Sequence, residues 1–158
     1  MFHVEKDSLI MAKTQIKTQV IGDRQLTDIK MGTTQCAFSV YDNVGGQQTR
    51  TGVVPFNTKV YDIGNNFSTS TYKFTAPVKG IYQFNYHQLT TDTSSRSGAY
   101  KNGTCIISCT NNGVPFSWCD LLNAGDTVWI QGQGGYDIRY YATDMHNNFS
   151  GCLIREIP

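Results

Sequence analysis

Apolar and polar side chains alternate one for one through GIYQFNYHQL (residues 80–89): Tyr82, Phe84 and Tyr86 fall on one face, and Ile81, Gln83, Asn85 and His87 on the other. A period of two is the mark of an extended strand with one face turned to a core. YKFTAP just upstream repeats it, with Tyr72, Phe74 and Ala76 on one side and Lys73 and Thr75 on the other. Pro77 and Gly80 turn the chain between the two strands, since proline presets φ and glycine tolerates positive φ.

The same reading places strands at CAFSVY, before the Gly45-Gly46 break, and at FNTKVYDI, where Phe56, Val60 and Asp62 share a parity suited to a partly buried edge. SGAYKNGTCII predicts a hairpin about Asn102-Gly103. GVPFSWCDLL follows Asn112-Gly113, DTVWIQ follows Asn123-Ala124-Gly125, and FSGCLI comes last. No stretch keeps a helical period beyond two turns. The prediction is an all-β chain of eight to ten short strands, a sandwich or jelly roll. Rings spaced in twos on facing strands are expected to be core, each contributing on the order of 2 kcal/mol of transfer free energy.

Residues 1–34 follow a different pattern. Ile16, Val20, Ile21, Leu26 and Ile29 stand isolated in a polar background, with no aromatic after Phe2. Such a segment cannot build a core alone. The expected organisation is an N-terminal anchoring arm or linker over 1–34, ordered against other subunits or a larger assembly, and a head over 35–158. Met1 and Met11 are both candidate starts.

Composition narrows the function classes. Thr (18), Asn (11), Gln (10) and Ser (10) are abundant while charged residues are only 16%, which suits a turn-rich sheet protein. A net charge of +1 without long like-charged runs argues against nucleic acid. No apolar run is long enough for membrane insertion, and the start lacks the flank and apolar core of a leader. Five cysteines (Cys36, Cys105, Cys109, Cys119, Cys152) are an odd number, read as mostly buried free thiols. A head of this size buries roughly 70% of its unfolded surface and needs no staple. There is no Gly-x-Ser-x-Gly elbow, HExxH or phosphate loop, so no enzyme is expected; a Cys109–His87 pair is the nearest candidate. No cofactor is expected either, calcium being the one left open. Asp92, Asp137 and Asp144 offer hard oxygens, but their spacing matches no calcium loop.

FNTKVYDIGNNFSTSTYKFTAPVKGIYQFNYH resembles the signature of complement C1q globular heads, within the tumour-necrosis-factor-like jelly rolls. KNG at 101–103, LLNAGDTVWIQ at 121–131 and FSGCLI at 149–154 agree in order, so the resemblance covers about residues 36–155. It implies a ten-stranded antiparallel β-sandwich jelly roll that assembles as a homotrimer. It further implies that Phe38, Phe74, Tyr82, Phe84, Tyr86, Trp129, Phe149 and Gly151 form the core or the trimer interface. Gly80 and Gly125 would serve tight turns or close strand approach, and Asp126 would cap a turn. First and last strands are neighbours in that fold, which leaves a disulfide between Cys36 and Cys152 open.

The head here has no preceding Gly-x-y repeat and no leader, and residues 88–120 are short and rich in Ser, Asn and Gly. These departures point to a bacteriophage virion version of the module: a capsid decoration, head-fibre or short tail-fibre protein. Ile16, Val20, Ile21, Leu26 and Ile29 would dock to other virion proteins. Loops 88–98, 110–116 and 132–147 would touch a host-surface glycan or protein. The alternative is an extracellular complement- or lectin-like recognition module of a cellular organism.

Overall fold

The computed structural model describes residues 35–50, 52–89, 95–110, 115–132, 138–141 and 145–158. The chain divides into two units, Met1–Thr34 and Gln35–Pro158. The arm residues Ile16, Val20, Ile21, Leu26 and Ile29 lie outside the described residues.

Twelve strands occur among the described residues: β1 (Ala37–Tyr41), β2 (Gln47–Arg50), β3 (Thr58–Ile63), β4 (Phe67–Ser68), β5 (Lys73–Thr75), β6 (Gly80–Gln88), β7 (Arg96–Lys101), β8 (Thr104–Thr110), β9 (Phe116–Leu122), β10 (Thr127–Gly132), β11 (Ile138–Tyr141) and β12 (Asn147–Glu156). Ten of them form two five-stranded antiparallel sheets, ordered β3-β1-β12-β6-β9 and β4-β5-β10-β7-β8. The expected ten-stranded jelly roll is present, and a β2–β11 ribbon is added to it. That ribbon pairs the polar QQTR of β2 with the four residues IRYY of β11, too short for a period of two to be read, so the hydrophobic pattern did not mark it.

Between the sheets lies one core of rings. Phe38 of β1 stacks 5.0 Å from Phe74 of β5 and 5.2 Å from Phe67 of β4, and Phe74 meets Phe84 of β6 at 5.6 Å. Tyr82, Phe84 and Tyr86 all point inward, as their spacing predicts. Val128 and Ile130 of β10, with Ala99 of β7, close the core from the second sheet.

Two glycines are dictated by packing. A Cβ on Gly80 would lie 2.6 Å from the Arg155 carbonyl oxygen, and one on Gly151 would lie 2.6 Å from Phe84 Cδ1. Asn102 (φ 50°) and Gly103 (φ 93°) make the β7–β8 hairpin turn, both central residues taking the positive φ that such a turn requires.

Parity fails at one place. β3 is an edge strand as expected, but the β1–β3 register slips between Ser39 and Val40, pairing Ser39 with Tyr61 and Val40 with Lys59. Val60 is the extra residue of this bulge and is half exposed, contrary to its expected burial. Phe56 is fully buried but precedes the strand. Asp62 accepts the backbone N–H groups of Asn66 and Phe67 and pairs with Lys59 Nζ at 2.6 Å.

Asp126 does cap the turn before β10. Its Oδ1 accepts Asn102 Nδ2 at 2.8 Å and its Oδ2 accepts the Asn123 N–H at 2.8 Å. The Asn102 amide first, and then the Asn123 N–H, hold its carboxyl below the usual carboxylate range. A depressed folded-state pKa gives stability that is present above the unfolded value, about 3.9, and lost as pH falls through the folded value. Asp126→Asn is therefore expected to cost under about 1 kcal/mol at pH 7, because solvent screens the site. The gap to the native chain should close below about pH 4; urea midpoints at pH 7 and in acid check this.

Candidate interaction face

The outer surface of the first sheet divides into two halves along its strands. Near the Gly80 end it presents Tyr61 and Ile63 of β3, Ala37 of β1, Cys152 of β12, Ile81 of β6, and Cys119 and Leu121 of β9. Ile154, the unpaired residue of the bulge in β12, is exposed at the same end of the sheet. Tyr61 and Ile63 at the β3 edge, Leu121 at the β9 edge and Ile154 of β12 are between 47% and 53% exposed. The charge among them is the cation of Arg155 on β12, which is exposed and lies opposite Ile81. Towards the other end the face turns polar through Asn85, His87, Ser117, Asn148 and Ser150, with Ser117 Oγ bonded to Asn85 Oδ1 at 2.8 Å.

The two ends of the sandwich differ as well. Gln35 and Pro158 lie at the Gly80 end, where Leu153 N–H donates to the Cys36 carbonyl and Ile157 N–H to that of Lys79. At the opposite end Gln88 pairs with Asn147, Arg96 with Thr110 and Phe116 with Tyr86. This end of the core is polar: Tyr86 donates to Gln88 Oε1 at 2.6 Å, and Gln88 Nε2 to Ser95 Oγ at 3.0 Å. Asn147 is fully buried there, and neither amide atom has a hydrogen-bond partner among the described residues.

The structure places seven of the eight core or interface residues named from the sequence around the inter-sheet space. Phe38, Phe74, Tyr82, Phe84, Tyr86 and Phe149 are buried in it, and Gly151 leaves room for the rings of Phe38 and Phe84. Trp129 is different. It lies opposite Tyr100 between inward-facing Val128 and Ile130, so it is on the outer face of the second sheet. There it stacks on Tyr100 at 5.9 Å under Lys73 Nζ, 3.8 Å from its ring. Leu121 escaped the sequence reading because it sits off parity on a strand whose other face packs on the core, Tyr61 and Ile63 because they sit off parity on an edge strand, and Ile154 because a bulge leaves it unpaired.

The cysteines separate by face. β1 and β12 are neighbours, as the resemblance implied, but Ala37 is the residue opposite Cys152. Cys36 therefore points to the core and Cys152 away from it, on opposite sides of one sheet. Both are free thiols, and no bridge links them. Burial pushes the Cys36 thiol up to about 11, so it stays protonated at neutral pH.

His87 is exposed on the outer face of β6, while the Cys109 side chain and Asp92, Asp137 and Asp144 lie outside the described residues. Among the described residues no three His, Cys, Asp or Glu side chains are grouped to hold a metal ion, and no helix is long and apolar enough to cross a membrane. Of the expected contact loops 88–98, 110–116 and 132–147, residues 90–94, 111–114, 133–137 and 142–144 likewise lie outside the described residues.

The geometry is that of a jelly roll with a ring-packed core and a half-apolar outer sheet face. The chain belongs to the C1q domain family, whose pattern matches residues 37–154. Members of this family are non-enzymatic recognition or signalling modules, and this head is one of them. It is 28% identical over 110 residues to mouse collagen alpha-1(X) chain, covering 64% of this chain and 16% of that one. It is 26% identical over 117 residues to human complement C1q and tumor necrosis factor-related protein 9A, covering 66% and 34%. It is 27% identical over 111 residues to a complement C1q subcomponent of Rattus norvegicus, covering 61% and 41%. The chain thus spans less than half the length of these relatives. Among solved structures, the globular domain of zebrafish complement 1qA superposes with a TM-score of 0.54 at 24% identity, covering 78% of this chain and all of that one. Eiger, a tumour necrosis factor from S. frugiperda, superposes at 0.58 with 12% identity, covering 78% and 95%. Both likenesses concern the fold.

Proposed function

We propose that the head is a homotrimeric, extracellular recognition module of the C1q type, tethered through residues 1–34 and presenting the end opposite Gln35 and Pro158 to its ligand. The half-apolar outer face of the first sheet carries this reading. Four large apolar side chains, each about half exposed on a single protomer, are stabilised when another copy removes them from water, at about 25 cal/mol per Å² of apolar surface. A three-fold ring uses a heterologous contact that closes on itself, so one flank of the face covers the other flank of the next copy. β8 and β9, the two strands at that flank, hold one acidic side chain between them, Asp120, and it pairs within the protomer with Lys101 at 3.2 Å. The strands therefore bring no unpaired charge to the contact.

Relatives among complement and collagen chains favour the extracellular reading over the virion one. The virion reading, with Ile16, Val20, Ile21, Leu26 and Ile29 as its docking set, draws no support from them.

Light scattering of the full chain at micromolar concentration is the test, with three times 17.6 kDa expected. Ile63→Asp combined with Leu121→Asp should give folded monomers with an unchanged near-ultraviolet spectrum, because two carboxylates cannot be desolvated in the contact. A native chain that runs as a monomer overturns the proposal.

A further inference from the structure

Gln83 is flanked on the outer face by two thiols at its own level: it pairs with Cys119 on β9 and with Cys152 on β12. Both cysteines are exposed and free, unlike buried Cys36. They stand two strand spacings apart, about 10 Å between Cα atoms. A disulfide spans Cα atoms no more than about 7 Å apart, so these two cannot bridge within one protomer.

The half-apolar face that carries them points to a different pairing. Cys119 lies on β9, an edge strand of the sheet, and Cys152 on β12 at its centre, so a heterologous ring that lays the β9 edge of one copy on the face of the next brings the two together. Gln35 and Pro158 leave from one end of the sandwich. A three-fold axis along the strands keeps all three N-terminal segments at that end. Rotation about such an axis leaves every residue at its own height, so Cys119 and Cys152 of the partner subunit both stand at the Gln83 level.

We propose that Cys119 of one protomer and Cys152 of the partner subunit form a disulfide at each contact, three bonds closing the trimer covalently. This rests on the trimer reading above. A low-molecular-weight disulfide, such as glutathione disulfide, serves as the oxidant. The Cys119 thiolate attacks it, forming a mixed disulfide and releasing one glutathione thiolate. The thiolate of Cys152 of the partner subunit then attacks the Cys119 sulfur and releases the second. Two protein thiols are oxidised, one glutathione disulfide is reduced to two thiols, and both protons pass to solvent or to the leaving thiolates.

The experiment incubates the full chain in a glutathione redox buffer and follows it by light scattering and by non-reducing denaturing gel. Expected are a three-chain particle in solution and covalent dimer and trimer bands that dithiothreitol collapses. Cys119→Ser and Cys152→Ser should each return the gel to the monomer band while scattering still reports three chains. A three-chain particle that gives only monomers on the gel overturns the disulfide and leaves the trimer standing. Cross-linked bands that persist in either single variant overturn the assigned pairing. A one-chain particle by scattering overturns both readings.

Discussion

Replacing Phe84 by alanine is expected to lower the stability of the head by about 3–5 kcal/mol. Phe84 has no exposed surface and sits on β6, with β12 on one side and β9 on the other. Its ring lies 5.0 Å from Trp118, 5.6 Å from Phe74, 6.0 Å from Phe149, 6.3 Å from Tyr82 and 6.4 Å from Phe38. Those neighbours come from both sheets and are held by their own ladders, so they cannot collapse into the space left behind. The cost is then near the upper part of the range for removing a buried ring, because an unfilled cavity adds to the lost transfer energy. A thermal melt should shift down by roughly 10 °C. A loss under about 1 kcal/mol would show that the rings are not a packed core.

Gly151→Val works in the opposite direction, by adding volume where there is none. The new Cβ would lie 2.6 Å from Phe84 Cδ1, 2.9 Å from Phe38 Cε1 and 3.0 Å from the Gln83 carbonyl oxygen. The carbonyl belongs to the β6–β12 ladder and cannot retreat without loss of pairing, and both rings are wedged against further rings. Overpacking of this kind costs about 3 kcal/mol, with Gly151→Ala in the lower part of a range of about 1–3 kcal/mol. Urea midpoints should fall in the order glycine, alanine, valine. Equal midpoints for all three would refute the close approach of β12 to the ring cluster.

These two residues show how far the pattern of the chain reaches. Phe84 and Gly151 were both assigned to the core or interface from sequence, one by alternation and one by resemblance, and both border the same ring cluster. Trp129 and Val60 were legible only in part. DTVWIQ alternates in neither direction, since Val128, Trp129 and Ile130 are all apolar, and periodicity cannot say which of them faces the core. The extra residue in β3 shifts parity at one point, and a bulge of that kind leaves no mark in a short polar-apolar string.

Alternation, turn residues and motif order were enough to determine an all-β jelly roll and most of its ring core, because the pleat turns successive side chains to opposite faces whatever the strand's partners are. Long-range register decided the rest. It put Cys36 and Cys152 on opposite sides of one sheet, left Trp129 outside the sandwich under Lys73, and gathered Tyr61, Ile63, Leu121 and the Cys119–Gln83–Cys152 row on one face. Which strands lie side by side, and at what offset, depends on contacts between residues far apart along the chain. No local period carries that information.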